Sequence, residues 1–333
     1  MIYPEAKQIQ EILNTAQRVL IIQADNPDGD SLGSALALEH IIGDMGKEPL
    51  LYCGVAIPSY LTYLQGWDRV SNEFPHQFDA SIIVDTSADS LLENLNEAGH
   101  QKALAGKPCI VIDHHAVELT IPYATVVCNK EVVATSEVIY ELAQQLEWPL
   151  NLEAKRMIAT AIMADSLGLV TEATSARSIH IIGELVEGGV RLADLEHARR
   201  LLMRKSPELV HYKGELLERI EYHYNNRIAV ISIPWREIET YSPQYNPSML
   251  VIDDMRMTTD TQIAIAFKVY KDGKITGKIR CNQGAPVAAK LAEHFGGGGH
   301  AYASGFKTTE PRPFNELKSE CISYASQLLN EIR

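Results

Sequence analysis

Two kinds of apolar pattern alternate through the first half of the chain. Short runs at Val19–Ala24, Pro49–Cys53, Ser81–Asp85 (SIIVD) and Cys109–Asp113 (CIVID) have the length and density of buried strands. Longer stretches carry apolar residues at helical spacing, over 5–17, 31–45, 90–104, 132–146, 152–167, 175–188 and 206–221. In 31–45, for example, Leu32, Ala35, Leu36, Leu38, Ile41 and Ile42 recur on helical intervals. Strands that alternate with helices predict an α/β fold whose N-terminal sheet is mostly parallel and flanked by helices.

The pattern changes after residue 222. Arg227–Ile233, Gln262–Val269 and Lys274–Cys281 read as strands, the last after the turn Lys271-Asp272-Gly273, and 286–294 and 313–332 read as helices. The expectation is a domain over 1–190, a helical linker over 191–221 and a smaller α+β domain over 222–333.

Composition narrows the class. The chain has 333 residues, 46% of them hydrophobic and 22% charged, enough for two domains with sizeable cores. The N-terminal segment shows no signal peptide, and no run reaches the roughly 18–20 apolar residues of a membrane helix. A cytoplasmic protein without membrane attachment is expected. The five cysteines (Cys53, Cys109, Cys128, Cys281, Cys321) are scattered and lack CxxC spacing, which argues against a disulfide framework or a zinc knuckle. A formal net charge of −13 argues against binding long duplex nucleic acid, which needs many cations on phosphates. It leaves room for a small anionic substrate if a divalent metal inverts the local field.

Candidate chemistry sits where the strands end. Asp28-Gly29-Asp30 follows the first strand, Asp85 closes the third and Asp113-His114-His115 closes the fourth. In a parallel sheet the carboxyl ends share one edge, so these side chains should converge there. Asp165 ends a later apolar helical run. One aspartate at a strand end is usually a cap or a turn residue. The set together suits hard or borderline divalent ions, with imidazole favouring Mn²⁺ over Mg²⁺. In the second domain, Gly296 to Gly299 followed by His300 could expose backbone N–H groups to an anion, beside Arg280 on the preceding strand. The plainer reading of the glycine run is a flexible loop. Tyr241 and Tyr245 could stack a base, though packing is their more ordinary use.

These motifs resemble the DHH phosphoesterases that carry a DHH-associated C-terminal domain, above all the branch of oligoribonucleases and 3′-phosphoadenosine 5′-phosphate phosphatases. The resemblance covers nearly the whole chain. Asn26 to Ser34 is similar to the family's first motif, Val84-Asp85 to the second, Asp113-His114-His115 to the third, Asp165 to the fourth, and Gly296 to Gly305 to the C-terminal signature. It implies metal ligation by Asp28, Asp30, Asp85, His114 and Asp165, with two Mn²⁺ (or Mg²⁺) ions bridged by Asp85. Asp113 and His115 would be the catalytic groups beside them. Arg280, Gly297, Gly298, Gly299 and His300 would hold a nucleotide or short single-stranded oligonucleotide in a cleft between the domains. The implied reaction is attack of a metal-held hydroxide on phosphorus, an exonuclease and nucleotide-phosphatase activity. A homodimer stays open. Two places depart from the pattern: Ala24 stands where the family carries a histidine, and Ser166-Leu167-Gly168 alters the fourth motif. The departure at Ala24 motivates the alternative of an impaired nucleotide-binding regulator. Cyclic dinucleotides are the alternative substrate.

Overall fold

In the computed structural model, which describes residues 3–332, every strand expected in the first half belongs to one parallel sheet. Its strands are β1 (Arg18–Gln23), β2 (Glu48–Cys53), β3 (Ala80–Val84), β4 (Cys109–Asp113) and β5 (Val126–Asn129). They lie in the order β2-β1-β3-β4-β5, all neighbours parallel. The connection from β1 leads outward to β2, and the chain then returns to the other side of β1 for β3. A crevice opens at the carboxyl ends of such a switch point. The fifth strand escaped the hydrophobic pattern because it is a short edge strand in which buried and half-buried residues alternate.

Helices cover both faces. On one, Val19, Ile21, Ile82, Val84, Ile110 and Ile112 pack against α1 (Ala6–Thr15), α2 (Gly29–Asp44), α5 (Thr135–Gln145), α6 (Leu152–Asp165) and α7 (Ala176–Glu187). On the other, Leu20, Ile22, Ile83 and Val111 meet Leu92, Leu95 and Leu104. The latter come from or adjoin α3 (Glu93–Glu97) and α4 (Gln101–Ala105). The sequence predicts one helix over 90–104. The structure breaks it at Gly99, which takes φ 74°, a left-handed conformation that only glycine adopts without cost.

The two units divide between Arg204 and Lys205. The stretch expected as a helical linker holds α8 (Leu192–Leu202) in the first unit and α9 (Pro207–Glu218) in the second. The second unit is built on β6 (Glu221–His223), β7 (Ile228–Pro234), β8 (Ile263–Val269), β9 (Ile275–Cys281), β10 (Gly298–His300) and β11 (Ala303–Lys307), in the order β10-β11-β9-β8-β7-β6. Only β7 and β8 run parallel. One face packs on α12 (Ala288–His294) and α13 (Phe314–Glu331). The β7–β8 part of the other packs on α9, α10 (Trp235–Tyr241) and α11 (Pro247–Arg256). Tyr241 stacks on Tyr212 with ring centroids 3.7 Å apart, so its use is packing. All five cysteines are buried free thiols. Among the described residues no helix is long and apolar enough to cross a membrane.

α2 carries the first functional motif, and its position depends on close helix packing. It is buried on nearly all sides, and a Cβ on Gly33 would lie 2.8 Å from Ala161 Cβ and 3.1 Å from the Met157 carbonyl oxygen. A side chain there must push α2 and α6 apart. Gly33→Val should therefore destabilise the chain by about 1–3 kcal/mol, read as a lower denaturant midpoint at unchanged slope. An unchanged midpoint would show that the two helices do not need this approach.

Candidate active site

The carboxyl ends of β1, β3 and β4 deliver acids and imidazoles to one place, and helix ends fix them there. Asp28 is the N-cap of α2: its Oδ1 accepts from the backbone N–H of Asp30 and of Ser31, both at 3.0 Å, and Ser31 Oγ accepts from the Asp28 N–H. Capping of this kind orders the first helical turn. Asp30, in that turn, is wholly buried. Its carboxylate accepts from the N–H of Thr135 at 2.6 Å and of Ser136 at 3.2 Å, and from Ser34 Oγ at 3.1 Å. The N-terminus of α5 thus holds this anion as helix N-termini hold anions generally.

Asp85 follows β3 in a left-handed conformation, φ 62°. Asparagine and aspartate tolerate this region better than other non-glycine residues. The turn leaves its Oδ1 accepting from Thr135 Oγ1 at 3.0 Å. Asp165, the last residue of α6, adds a third acid.

His114 joins them. Its Nδ1 lies 3.0 Å from the Val132 carbonyl oxygen. A carbonyl can only accept, so Nδ1 carries a proton, and whenever the ring is neutral Nε2 presents a lone pair. Nε2 is buried and makes no hydrogen bond. It sits 3.4 Å from Asp85 Oδ1, 3.4 Å from Asp165 Oδ2 and 3.8 Å from Asp30 Oδ2. A lone pair facing three carboxylates is repulsive unless a cation lies among them.

The electrostatics carry the same tension. Burial, then the Asp30 charge, hold Asp85 well above the usual carboxylate range. Burial, then Asp30 and Asp28, push Asp165 up to about 7. Burial works against a charged His114, but the neighbouring Asp85 and Asp30 carboxylates outweigh it and lift the ring to about 10. Without a metal, protons gather where a cation belongs. Two donor sets have metal-binding spacing among the described residues: Asp30, His114 and Asp165, and Asp85, His114 and His115. Asp28 stands outside both sets, although its charge reaches Asp85 and Asp165.

Asp113 is buried behind the cluster. Its Oδ1 accepts from His115 Nδ1 at 2.8 Å and from the backbone N–H of His114 at 2.8 Å. Burial opposes ionisation of Asp113, yet the hydrogen bonds from His115 and Ser87 together outweigh it and hold the carboxyl below its ordinary range. His115 is half exposed and keeps Nε2 free of that bond.

In the second unit, β8 and β9 place Lys268, Lys278 and Arg280 on one face, where Ala264 pairs with Arg280, Ala266 with Lys278 and Lys268 with Thr276. All three cations are half-buried, and among the described residues none is ion-paired. Burial, then mutual repulsion, lowers Lys268 and Lys278, and burial, then Arg256, lowers Arg280. They line an open cavity of about 690 Å³ with Gly296 to Gly299 and Ser248 near the N-terminus of α11. The glycine run ends in an edge strand, not a loose loop: Gly298 pairs with Gly305, Gly299 with Ser304 and exposed His300 with Ala303. Gly297 is required by packing, since a Cβ there would fall 2.2 Å from the Gly305 carbonyl oxygen.

Sequence reasoning did not reach Thr135, Ser136, Val132, Lys268 or Lys278. The Thr-Ser pair at the start of a helical pattern was the one available signal. The Val132 carbonyl gives none. The two lysines look like ordinary surface residues until β8 and β9 are paired.

Comparison with known proteins adds the following. Residues 18–169 match the DHH family, N-terminal domain, and residues 241–327 match the DHHA1 domain. The chain is 25% identical over 284 residues to the bifunctional oligoribonuclease and PAP phosphatase NrnA of Bacillus subtilis, covering 84% of this chain and 85% of that one. It is 22% identical to the protein of that name from Thermus thermophilus, covering 91% and 88%. In structure it resembles an exopolyphosphatase-related protein from Bacteroides fragilis, with TM-score 0.80 at 19% identity over 98% of this chain and 96% of that one. It also resembles an exonuclease RecJ bound to manganese, with TM-score 0.53 at 16% identity over 98% and 95%.

The raised acid and imidazole fix the sign of a pH effect. Asp165 keeps its proton in the folded chain up to about 7, against an ordinary 3.8. The unfolded chain loses that proton first, so metal-free stability falls as pH rises through this window. His114, lifted to about 10, stabilises the metal-free fold at low pH and loses that contribution as pH climbs from the ordinary 6.5 through its folded value. A divalent cation competes with these protons. The rise in unfolding temperature on replacing EDTA by Mn²⁺ should therefore be larger at about pH 8 than at about pH 5.5. An equal or reversed shift would contradict the cluster as a cation site.

Proposed function

From the matches to the DHH and DHHA1 domains, we propose that the chain is a DHH-family, metal-dependent phosphoesterase that hydrolyses short oligoribonucleotides and 3′-phosphoadenosine 5′-phosphate. The observation that carries the reading is the unpartnered His114 Nε2 among Asp30, Asp85 and Asp165. One nitrogen and three carboxylates suit Mn²⁺, with Mg²⁺ as the harder, oxygen-preferring alternative. Asp30, Asp85, His114 and Asp165 would hold the ion. Bound there, it would act as a Lewis acid toward a phosphoryl oxygen.

The remaining work falls to the chain's own side chains. Hydrolysis forms a bond from a water oxygen to phosphorus, breaks the P–O ester bond and delivers a proton to the leaving oxygen. Asp113 keeps the His115 ring oriented through Nδ1, so Nε2 is the atom that holds or releases that proton. Lys268, Lys278 and Arg280 supply positive charge for substrate phosphate, and Arg280 can do so through two parallel N–H groups. With its formal charge of −13 the chain has no general affinity for polyanions, so a local group of free cations selects small phosphorylated molecules.

The test is release of mononucleotide from a dinucleotide, and of phosphate from 3′-phosphoadenosine 5′-phosphate, in Mn²⁺. Asp85→Ala should lower kcat by at least about 100-fold. Arg280→Ala should act mainly through KM, raising it about 10-fold. Full activity in Asp85→Ala would refute the assignment of the site.

A further inference from the structure

The donor set is uneven across the cluster, and the unevenness bears on how many ions it can take. The two donor sets of metal-binding spacing both require His114. That ring has one nitrogen to give, because Nδ1 is bonded to the Val132 carbonyl. A nitrogen can ligate a single ion, so the two sets cannot both be filled as they stand. Resting on the metal-dependent reading above, we propose that the chain holds a single divalent ion, bounded by Asp30, Asp85, His114 and Asp165, with Asp28 outside its coordination, where the sequence had suggested two ions.

The residues on the Asp28 side support this count. Asp28 commits Oδ1 to the backbone N–H groups of Asp30 and Ser31 at the start of α2. Asp25, the nearest alternative acid in the sequence, accepts from the Asn94 N–H at 2.8 Å through Oδ2. Its other oxygen packs so closely on Gly54 that a Cβ there would lie 2.3 Å away. Ala24, at the position noted as a departure from the motif, presents only a buried methyl group. His115 commits Nδ1 to Asp113 and has its side chain 48% exposed. A second ion beside the first would share Asp85 and find, in place of a buried imidazole, only the half-exposed His115 ring, whose Nδ1 is taken by Asp113. Such a site would be incomplete and weak at the concentrations that fill the first.

The full chain, stripped with EDTA and dialysed against Mn²⁺, decides the matter by metal content and electron paramagnetic resonance, neither of which depends on turnover. The expected result is one equivalent of Mn²⁺ with the resolved hyperfine lines of an isolated ion. His114→Ala should lose that equivalent. Asp28→Asn should retain it, because asparagine keeps the cap. Ala24→His should add a second equivalent and broaden the spectrum by coupling between neighbouring ions. Two equivalents in the unaltered chain would overturn the single-ion inference and leave metal dependence standing. The same holds if the second equivalent is lost in Gln23→Ala, whose buried amide has no protein partner and would then be the missing donor. No bound Mn²⁺ in the unaltered chain would overturn the underlying reading as well.

Discussion

The chemistry of the first unit depends on the hydrogen bond between His114 Nδ1 and the carbonyl of Val132. That bond places the ring proton on the side away from the acids. It thereby turns Nε2 into a lone pair that approaches two carboxylate oxygens at 3.4 Å and a third at 3.8 Å. The alternative tautomer would give Nε2 a proton to donate and would settle the cluster as a closed hydrogen-bonded knot. As built, the cluster is stable only with extra protons or a cation inside it. The other contacts keep it from relaxing. Asp30 is held by the N–H groups of Thr135 and Ser136, and Asp85 is aimed by its left-handed backbone. Pre-orientation of this kind is what lets a site bind an ion without paying to reorganise around it.

The second unit has the opposite electrostatic problem. Lys268, Lys278 and Arg280 repel one another on a half-buried sheet face without carboxylate partners. In a chain of net charge −13, three cations side by side without an ion pair are a local excess of positive charge. The two units therefore carry complementary deficits, one short of positive charge and one short of negative.

Much of this was visible in the residues before the fold was known. The alternation of apolar runs placed β1 to β4 and most helices, because buried parallel strands and covering helices leave distinct periodicities. The strand-end rule brought Asp30, Asp85 and His114 together, and Asp165 was expected among them from the motif resemblance. What the residues did not reveal depends on pairing and backbone geometry. The edge strand β5 is too short to leave a clear pattern. Gly99 breaks the 90–104 helix through a backbone angle that composition does not encode. The Val132 carbonyl, like any backbone group, is silent in the sequence. Lys268 and Lys278 become neighbours only through the β8–β9 register. Asp28 is the instructive case: a motif aspartate that the local sequence could equally have assigned to a helix cap, and that caps α2 in the structure.

The most direct measurement is a crystal of the full chain grown with Mn²⁺, with anomalous scattering used to locate the ion. The expected result is an anomalous peak at bonding distance, about 2.0–2.2 Å, from His114 Nε2 and from carboxylate oxygens of Asp30, Asp85 and Asp165. A His114 ring flipped so that Nε2 met the Val132 carbonyl, or Mn²⁺ bound only elsewhere on the chain, would contradict the account.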